Sequence, residues 1–309
     1  MTVVPRRRKR LVTLFTFIAA LVGGLATAAP ASADFVCTTG TIYGLNQTGG
    51  SLGEVNTATG TSNPVGTISG APNGLAIPAG GGRYAYAVQN GGATGGTVYW
   101  FDSQTGTTDT FTGGPSAGYP MGGVNPANGY YYFAQATAGG LILYAFNTTT
   151  NTVVGRVATV TDVGSGNGDL AFDSLGNMYF AIDTQLRRVS GPIPSTVGNP
   201  SLSSTLLATL PATSNGIAFD GDGTLYLGSG TTYRQIDPAT GLQIRMFTSF
   251  NATDLASCST PHTIRAQKDL PNGRIVNSDQ FNPPKSMLQA PLLRRRAAWP
   301  VPARRPYSS

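Results

Sequence analysis

Four oxygen-bearing side chains recur at the start of short apolar segments. They are Asn73 in NGLAI (73–77), Asp169 in DLAFD (169–173), Asn215 in NGIAFD (215–220) and Asp254 in TDLAS (253–257). Oxygen donors gathered from several chain segments are what Ca²⁺ takes. Asn73, Asp169, Asn215 and Asp254 are therefore the candidate metal set, and Ca²⁺ is the one cofactor the sequence offers. A metal so held would polarise a carbonyl, the chemistry of a metal-dependent hydrolase. The plainer reading is that Asn, Asp and Gly suit a tight entry into each segment.

Other chemistry finds little support. The single histidine, His262, lies beside Pro261 in a linker-like stretch, so no nucleophile–histidine arrangement is assembled around it. No Cys, His or carboxylate cluster has zinc spacing. A glycosidase needs paired carboxylates, yet beyond residue 33 the one glutamate is Glu54. Five of the 13 aspartates fall in turn motifs: Asp102, Asp173, Asp220, Asp222 and Asp237. There the side chain is expected to bond its own turn backbone. Asp220-Gly221-Asp222-Gly223 resembles part of a calcium loop but lacks the downstream glutamate, and reads as a hairpin turn. No catalytic residue is assigned.

These residues need a scaffold, and composition limits what it is. The 309 residues include 41 Gly and 21 Pro, 40 % are hydrophobic and 11 % are charged. That excludes a coiled coil or a charge-rich disordered chain and leaves a turn-dense β protein. The net charge of +6 is carried by the ends: Arg6 to Arg10 supply five basic residues and 285–309 supply six. Residues 34–258 hold six Arg, no Lys and 12 acids. With no basic face there, nucleic acid is not expected as a partner.

A repeat of about 46 residues runs through the middle. One marker is Tyr43, Tyr86, Tyr132, Tyr179 and Tyr226, spaced by 43, 46, 47 and 47. A second is an Asx-x-x-Thr-Gly-type turn: NTATG at 56–60, DSQTG at 102–106, NTTTN at 147–151 and DPATG at 237–241. The absent copy is replaced by Ser190-Gly191-Pro192, read as another turn. Each unit reads as four short strands. In the last, these are 216–219, 224–227, 233–236 and 242–247. Four strands per unit at this period predict an all-β, five-bladed β-propeller. The first unit begins at its second strand, so its inner strand is expected from 253–257, closing the ring with both chain ends. Aligning FVCTTGTIY and TDLASC on the last unit puts Cys37 and Cys258 level with Asp220, in one turn of the closing blade. A Cys37–Cys258 disulfide is expected there.

The start of the chain reads as an export signal: basic Arg6 to Arg10, apolar 11–29, then Ala31-Ser32-Ala33 as a cleavage site. The expected divisions are 1–33 signal peptide, 34–260 propeller, 261–281 linker and first strand of a truncated β-sandwich, and 282–309 a basic Pro/Arg-rich disordered tail. Six prolines, no acids and no alternation after Phe281 make that tail look frame-shifted.

The Tyr-to-Asx-x-x-Thr-Gly blades, ATDLASC at 252–258 and KDLPNGRIVNSDQF at 268–281 resemble an uncharacterised exported propeller domain of actinobacterial surface proteins. In similar proteins the last stretch opens an adhesin- or prealbumin-like sandwich. The resemblance supports architecture and carries no catalytic residues. The expected function is a secreted or cell-surface, non-catalytic binding module that meets an extracellular protein or cell-wall glycan. The mature chain is expected to be a monomer without a membrane span. The alternative is a Ca²⁺-dependent hydrolase such as a lactonase, using the Asx set.

Overall fold

The computed structural model describes residues 34–89, 96–114 and 118–261, and the backbone of 267–269 and 275–277. The expected signal peptide, His262 and the tail at 282–309 lie outside them. Among the described residues every regular element is a strand, and the sheets form a five-bladed β-propeller.

Blade 1 holds β1 (Thr41–Leu45), β2 (Ser51–Asn56) and β3 (Ser62–Thr67). Blade 2 is β4 (Pro72–Ala76), β5 (Tyr84–Gln89), β6 (Gly96–Asp102) and β7 (Thr107–Gly114). Blade 3 is β8 (Met121–Val124), β9 (Tyr131–Thr137), β10 (Gly140–Asn147) and β11 (Thr152–Val160). Blade 4 is β12 (Gly168–Phe172), β13 (Met178–Ile182), β14 (Gln185–Val189) and, after β15 (Ser201–Leu202), β16 (Thr205–Thr209). Blade 5 is β17 (Gly216–Phe219), β18 (Leu225–Ile236) and β19 (Gln243–Ala252). Finally β20 (Asp254–Ala256) pairs antiparallel with β1 and completes blade 1. The ring is closed by the two ends of the propeller chain, as expected.

Two details differ from the sequence reading. The stretch from Ser190 is a long excursion that adds β15, parallel, to the outer edge of blade 3 before returning to blade 4. The second and third strands of blade 5 run together as β18. Its first half pairs with β17 and its second, from Gly230, with β19. The segment expected to open a second domain holds β21 (Gln267–Asp269) and β22 (Ile275–Asn277), paired antiparallel.

The tyrosine marker has a structural cause. Tyr43, Tyr86, Tyr132, Tyr179 and Tyr226 stand opposite Ala256, Ala76, Gly123, Ala171 and Ala218 of the inner strands. Inner strands crowd the axis, so they carry small residues there, and the large ring comes from the second strand. All five tyrosines are buried. The core is divided into five apolar clusters, one between each pair of successive blades. The run Tyr130 to Phe133 shows why period-two alternation matters. Tyr131 and Phe133 enter the cluster shared with blade 2, and Tyr132 enters the one shared with blade 4.

Candidate functional site

The Asx-x-x-Thr-Gly repeats are turns that hold themselves. Asn56 Oδ1 accepts the N–H groups of Ala58 and Thr59, each at 3.0 Å, and Asn147 Oδ1 those of Thr149 and Thr150 at 2.9 and 3.1 Å. Asp102 and Asp237 do the same work. Asp102 also pairs with Arg83, which holds its carboxyl below the usual range. Asp173 accepts from Leu175 and Asn177, and Asp222 from Thr224. These aspartates are turn residues, as their spacing implied.

Asp220 does more. Beyond its own turn, both its oxygens accept the N–H of Gly40, at 2.9 and 3.0 Å, across 180 residues. That bond fastens the entry of blade 1 to blade 5. Burial pushes the Asp220 carboxyl up. Nearby, Cys37 and Cys258 form the expected disulfide, closing a separation of 221 residues with Cα atoms 5.3 Å apart.

The predicted metal set divides. Asp169 and Asp254 are both fully buried at the inner strands, and each acts on the ionisation of the other, with burial pushing both carboxyls up. Asp169 Oδ1 accepts N–H bonds from Leu170 at 2.7 Å and Gly122 at 3.2 Å, and Oδ2 accepts one from Ile217 at 2.8 Å. Asp254 Oδ1 accepts one from Leu255 at 2.8 Å, and Oδ2 accepts another from Leu75. The five donors are equivalent: each precedes the residue that faces a marker tyrosine. One N–H from each inner strand therefore points at the same carboxyl pair.

Asn215 turns aside, its Oδ1 accepting from Asn167 Nδ2 at 2.8 Å. Asn73 is buried, and its Oδ1 has no hydrogen-bond partner among the described residues. A Ca²⁺ shell needs six to eight oxygens directed at one point. Here the two carboxyls accept one N–H from each of the five inner strands, Asn215 is engaged by Asn167, and the Asn73 Oδ1 is left over.

The aspartates fit because their counterparts in blades 2 and 5 are glycines. A Cβ on Gly74 (φ +62°) would lie 2.9 Å from the Gly122 nitrogen, and one on Gly216 would lie 2.5 Å from the Leu255 nitrogen. Neighbouring inner strands touch at these points.

Beyond the pair, toward the other mouth, the axis holds a cavity of about 30 Å³, room for about one water. It is lined by Ile77, Val124, Phe172 and Phe219 and rimmed by Ser257 and Ser259. The N–H crown escaped the sequence reading because backbone donors carry no residue-type signal. The recurring Asx-Gly and Gly-Asp pairs marked only its level.

No family model and no curated protein matches the chain. Among solved structures it is similar to an auxiliary nutrient binding protein from Bacteroides thetaiotaomicron VPI-5482. That protein is 11 % identical, with 71 % of this chain and 57 % of that one covered and a TM-score of 0.44. A second such protein, from Bacteroides ovatus ATCC 8483, is 12 % identical, with 72 % and 62 % covered and a TM-score of 0.44. A protein of unknown function from Bacteroides caccae is 11 % identical, with 68 % and 73 % covered and a TM-score of 0.38. The chain thus spans about three fifths of the two nutrient binding proteins.

Proposed function

We propose that this chain is an exported, non-catalytic propeller: a secreted or cell-surface module that binds an extracellular protein or a cell-wall glycan through its loops. The observation that carries this reading is the use made of the axial carboxyls. In a propeller hydrolase, acids at the channel would face substrate or metal. Here Asp169 and Asp254 face five backbone N–H groups. The adjoining cavity of about 30 Å³ is far smaller than the ~300–1,000 Å³ of a small-molecule site. Recognition is therefore assigned to the rim, where specificity follows loop geometry rather than fold. The basic, apolar start of the chain and the long-range disulfide support an oxidising, extracytoplasmic location. No helix among the described residues is long and apolar enough to cross a membrane.

The test assays one purified sample in two ways. Retention on insoluble cell-wall polysaccharide or on intact cells is expected, with no turnover of a lactone and sugar-ester panel in the presence of calcium. Calcium-dependent turnover that disappears in Asp169→Ala or Asp254→Ala, while the fold persists, would replace this reading with the hydrolase.

A further inference from the structure

The first described residues of the chain are fastened to blade 2. Phe35 is 3 % exposed, its ring set edge-on against Tyr43 at 5.1 Å and Phe101 at 6.3 Å between centroids. Its backbone is engaged as well: Phe35 N–H donates to the Gly82 carbonyl at 2.8 Å, and Gly82 N–H donates back at 3.1 Å. On one side Asp34 Oδ1 accepts from Gln104 Nε2 at 2.8 Å, and on the other Val36 N–H donates to the Tyr43 hydroxyl at 2.9 Å. The fit is close, since a Cβ on Gly81 would lie 2.1 Å from the Phe35 carbonyl oxygen. This strap starts at Asp34, the residue that directly follows the cleavage site expected at Ala31-Ser32-Ala33.

We propose that closing the ring shuts this cleavage site, so that the leader is removed before the propeller folds and the chain crosses its membrane unfolded. The inference rests on the export reading above and goes beyond it. Cleavage adds water across the Ala33–Asp34 bond, leaving a carboxyl on Ala33 and an amine on Asp34. A peptidase takes its substrate as an extended segment, through main-chain hydrogen bonds of the kind that Phe35 makes with Gly82. The same backbone groups cannot serve both partners. Asp34 and Phe35 are the two residues that follow the scissile bond, so both must leave the propeller surface to enter the cleft. That withdraws a buried ring and breaks the bonds to Gly82 and Gln104.

The order of the chain sets the timing. The apolar cluster that takes Phe35 also contains Ala256 and Cys258, and Gly80 N–H donates to the Cys258 carbonyl at 3.1 Å. The strap leads directly into Cys37, whose disulfide partner is Cys258, 221 residues further on. The seat of Phe35 is therefore complete only when β20 has joined β1. While an unfolded chain is still crossing, β20 has not arrived and the site is open. In the finished propeller it is shut. A chain that folded before crossing would arrive with its leader protected.

The experiment uses the full-length chain with its leader, purified folded and with the disulfide intact, and a purified signal peptidase in detergent. Cleavage between Ala33 and Asp34 is followed by mass spectrometry. The comparison is the same chain reduced, unfolded in urea and diluted straight into the enzyme. Burial of one phenylalanine corresponds to about ten- to a hundredfold in an equilibrium, so the folded chain is expected to be cut at least about tenfold more slowly. Phe35→Ala, which keeps the backbone bonds and loses the ring contacts, is expected to raise the folded rate at least about threefold. Where that variant does not fold, the wild-type comparison decides alone. Folded and unfolded rates within about twofold of each other overturn the proposal. No cleavage at this bond in the unfolded chain overturns the export reading, and the proposal with it.

Discussion

In blade 3 the chain runs β8, β9, β10 and β11 in order, each strand antiparallel to the last and joined by a short turn. Its turn at 147–151 is held by short-range bonds from Asn147, Thr148 and Thr150, and its stability resides in packed rings: Tyr131, Tyr132, Phe133, Tyr144 and Phe146 are all buried. Blade 1 carries the same repeat but takes β20 from some 200 residues downstream, in 253–257, and its fastenings are long-range. The disulfide spans 221 residues, the bonds from Gly40 to Asp220 span 180, and Gln47 N–H donates to Thr253 across 206. A contiguous blade relies on hairpins and apolar contact. A blade made from two chain ends must also offset the entropy of bringing them together, and a covalent link reduces that entropy in the unfolded chain.

The comparison is most directly broken by removing the covalent link. Cys37→Ser with Cys258→Ser is expected to cost about 5 kcal/mol in the chain-entropy model, read as the shift in urea-unfolding free energy. A cost below about 1 kcal/mol would mean that strand pairing alone closes blade 1, as it does blade 3.

A circular permutant sharpens the point. With the propeller ends joined by a short linker and new ends opened in the 147–151 turn, blade 1 becomes contiguous and blade 3 split. Reduction should then cost about 3 kcal/mol or less, because the loop closed by the disulfide becomes short. An unchanged cost would show that the bridge acts through native packing rather than chain entropy.

In blade 3 itself, Phe133→Ala should cost about 3–5 kcal/mol with no dependence on redox state. Asp220→Ala leaves the buried turn donors and the Gly40 N–H without their acceptor and is expected to cost about 1–3 kcal/mol. Its effect should shrink as pH rises. The folded Asp220 carboxyl is raised, so the wild-type contribution declines through that value. The smallest effect is expected at Asn147→Ala, about 0.5–1.5 kcal/mol by the same melts, since the lost bonds belong to one exposed turn.

The repeat was legible because each blade obeys the same local rules. Side chains alternate with period two, Asx residues form turns, and a large ring stands opposite a small inner residue. Those rules gave the blade count, the register of Tyr43 to Tyr226, the closing strand at 253–257 and the level of both cysteines. The detour after Ser190 was not legible. Ser190-Gly191-Pro192 reads as a turn, and the parallel pairing of Ser201–Leu202 with β11 depends on a neighbouring blade. Asp220 read as a turn residue and is one, but its reach to Gly40 depends on where the ring places the N-terminal strand.

Asx residues at 73, 169, 215 and 254 were legible as a set but not in their roles. Sequence placed them at one end of the inner strands, because the repeat sets their register. The tertiary structure sent Asn215 to Asn167 and brought Asp169 and Asp254 under five N–H groups. Periodicity and turn chemistry are properties of short stretches, so sequence alone determined them. The convergence of five backbone N–H groups on two carboxyls exists only once the ring is closed, because every inner strand must supply its own donor.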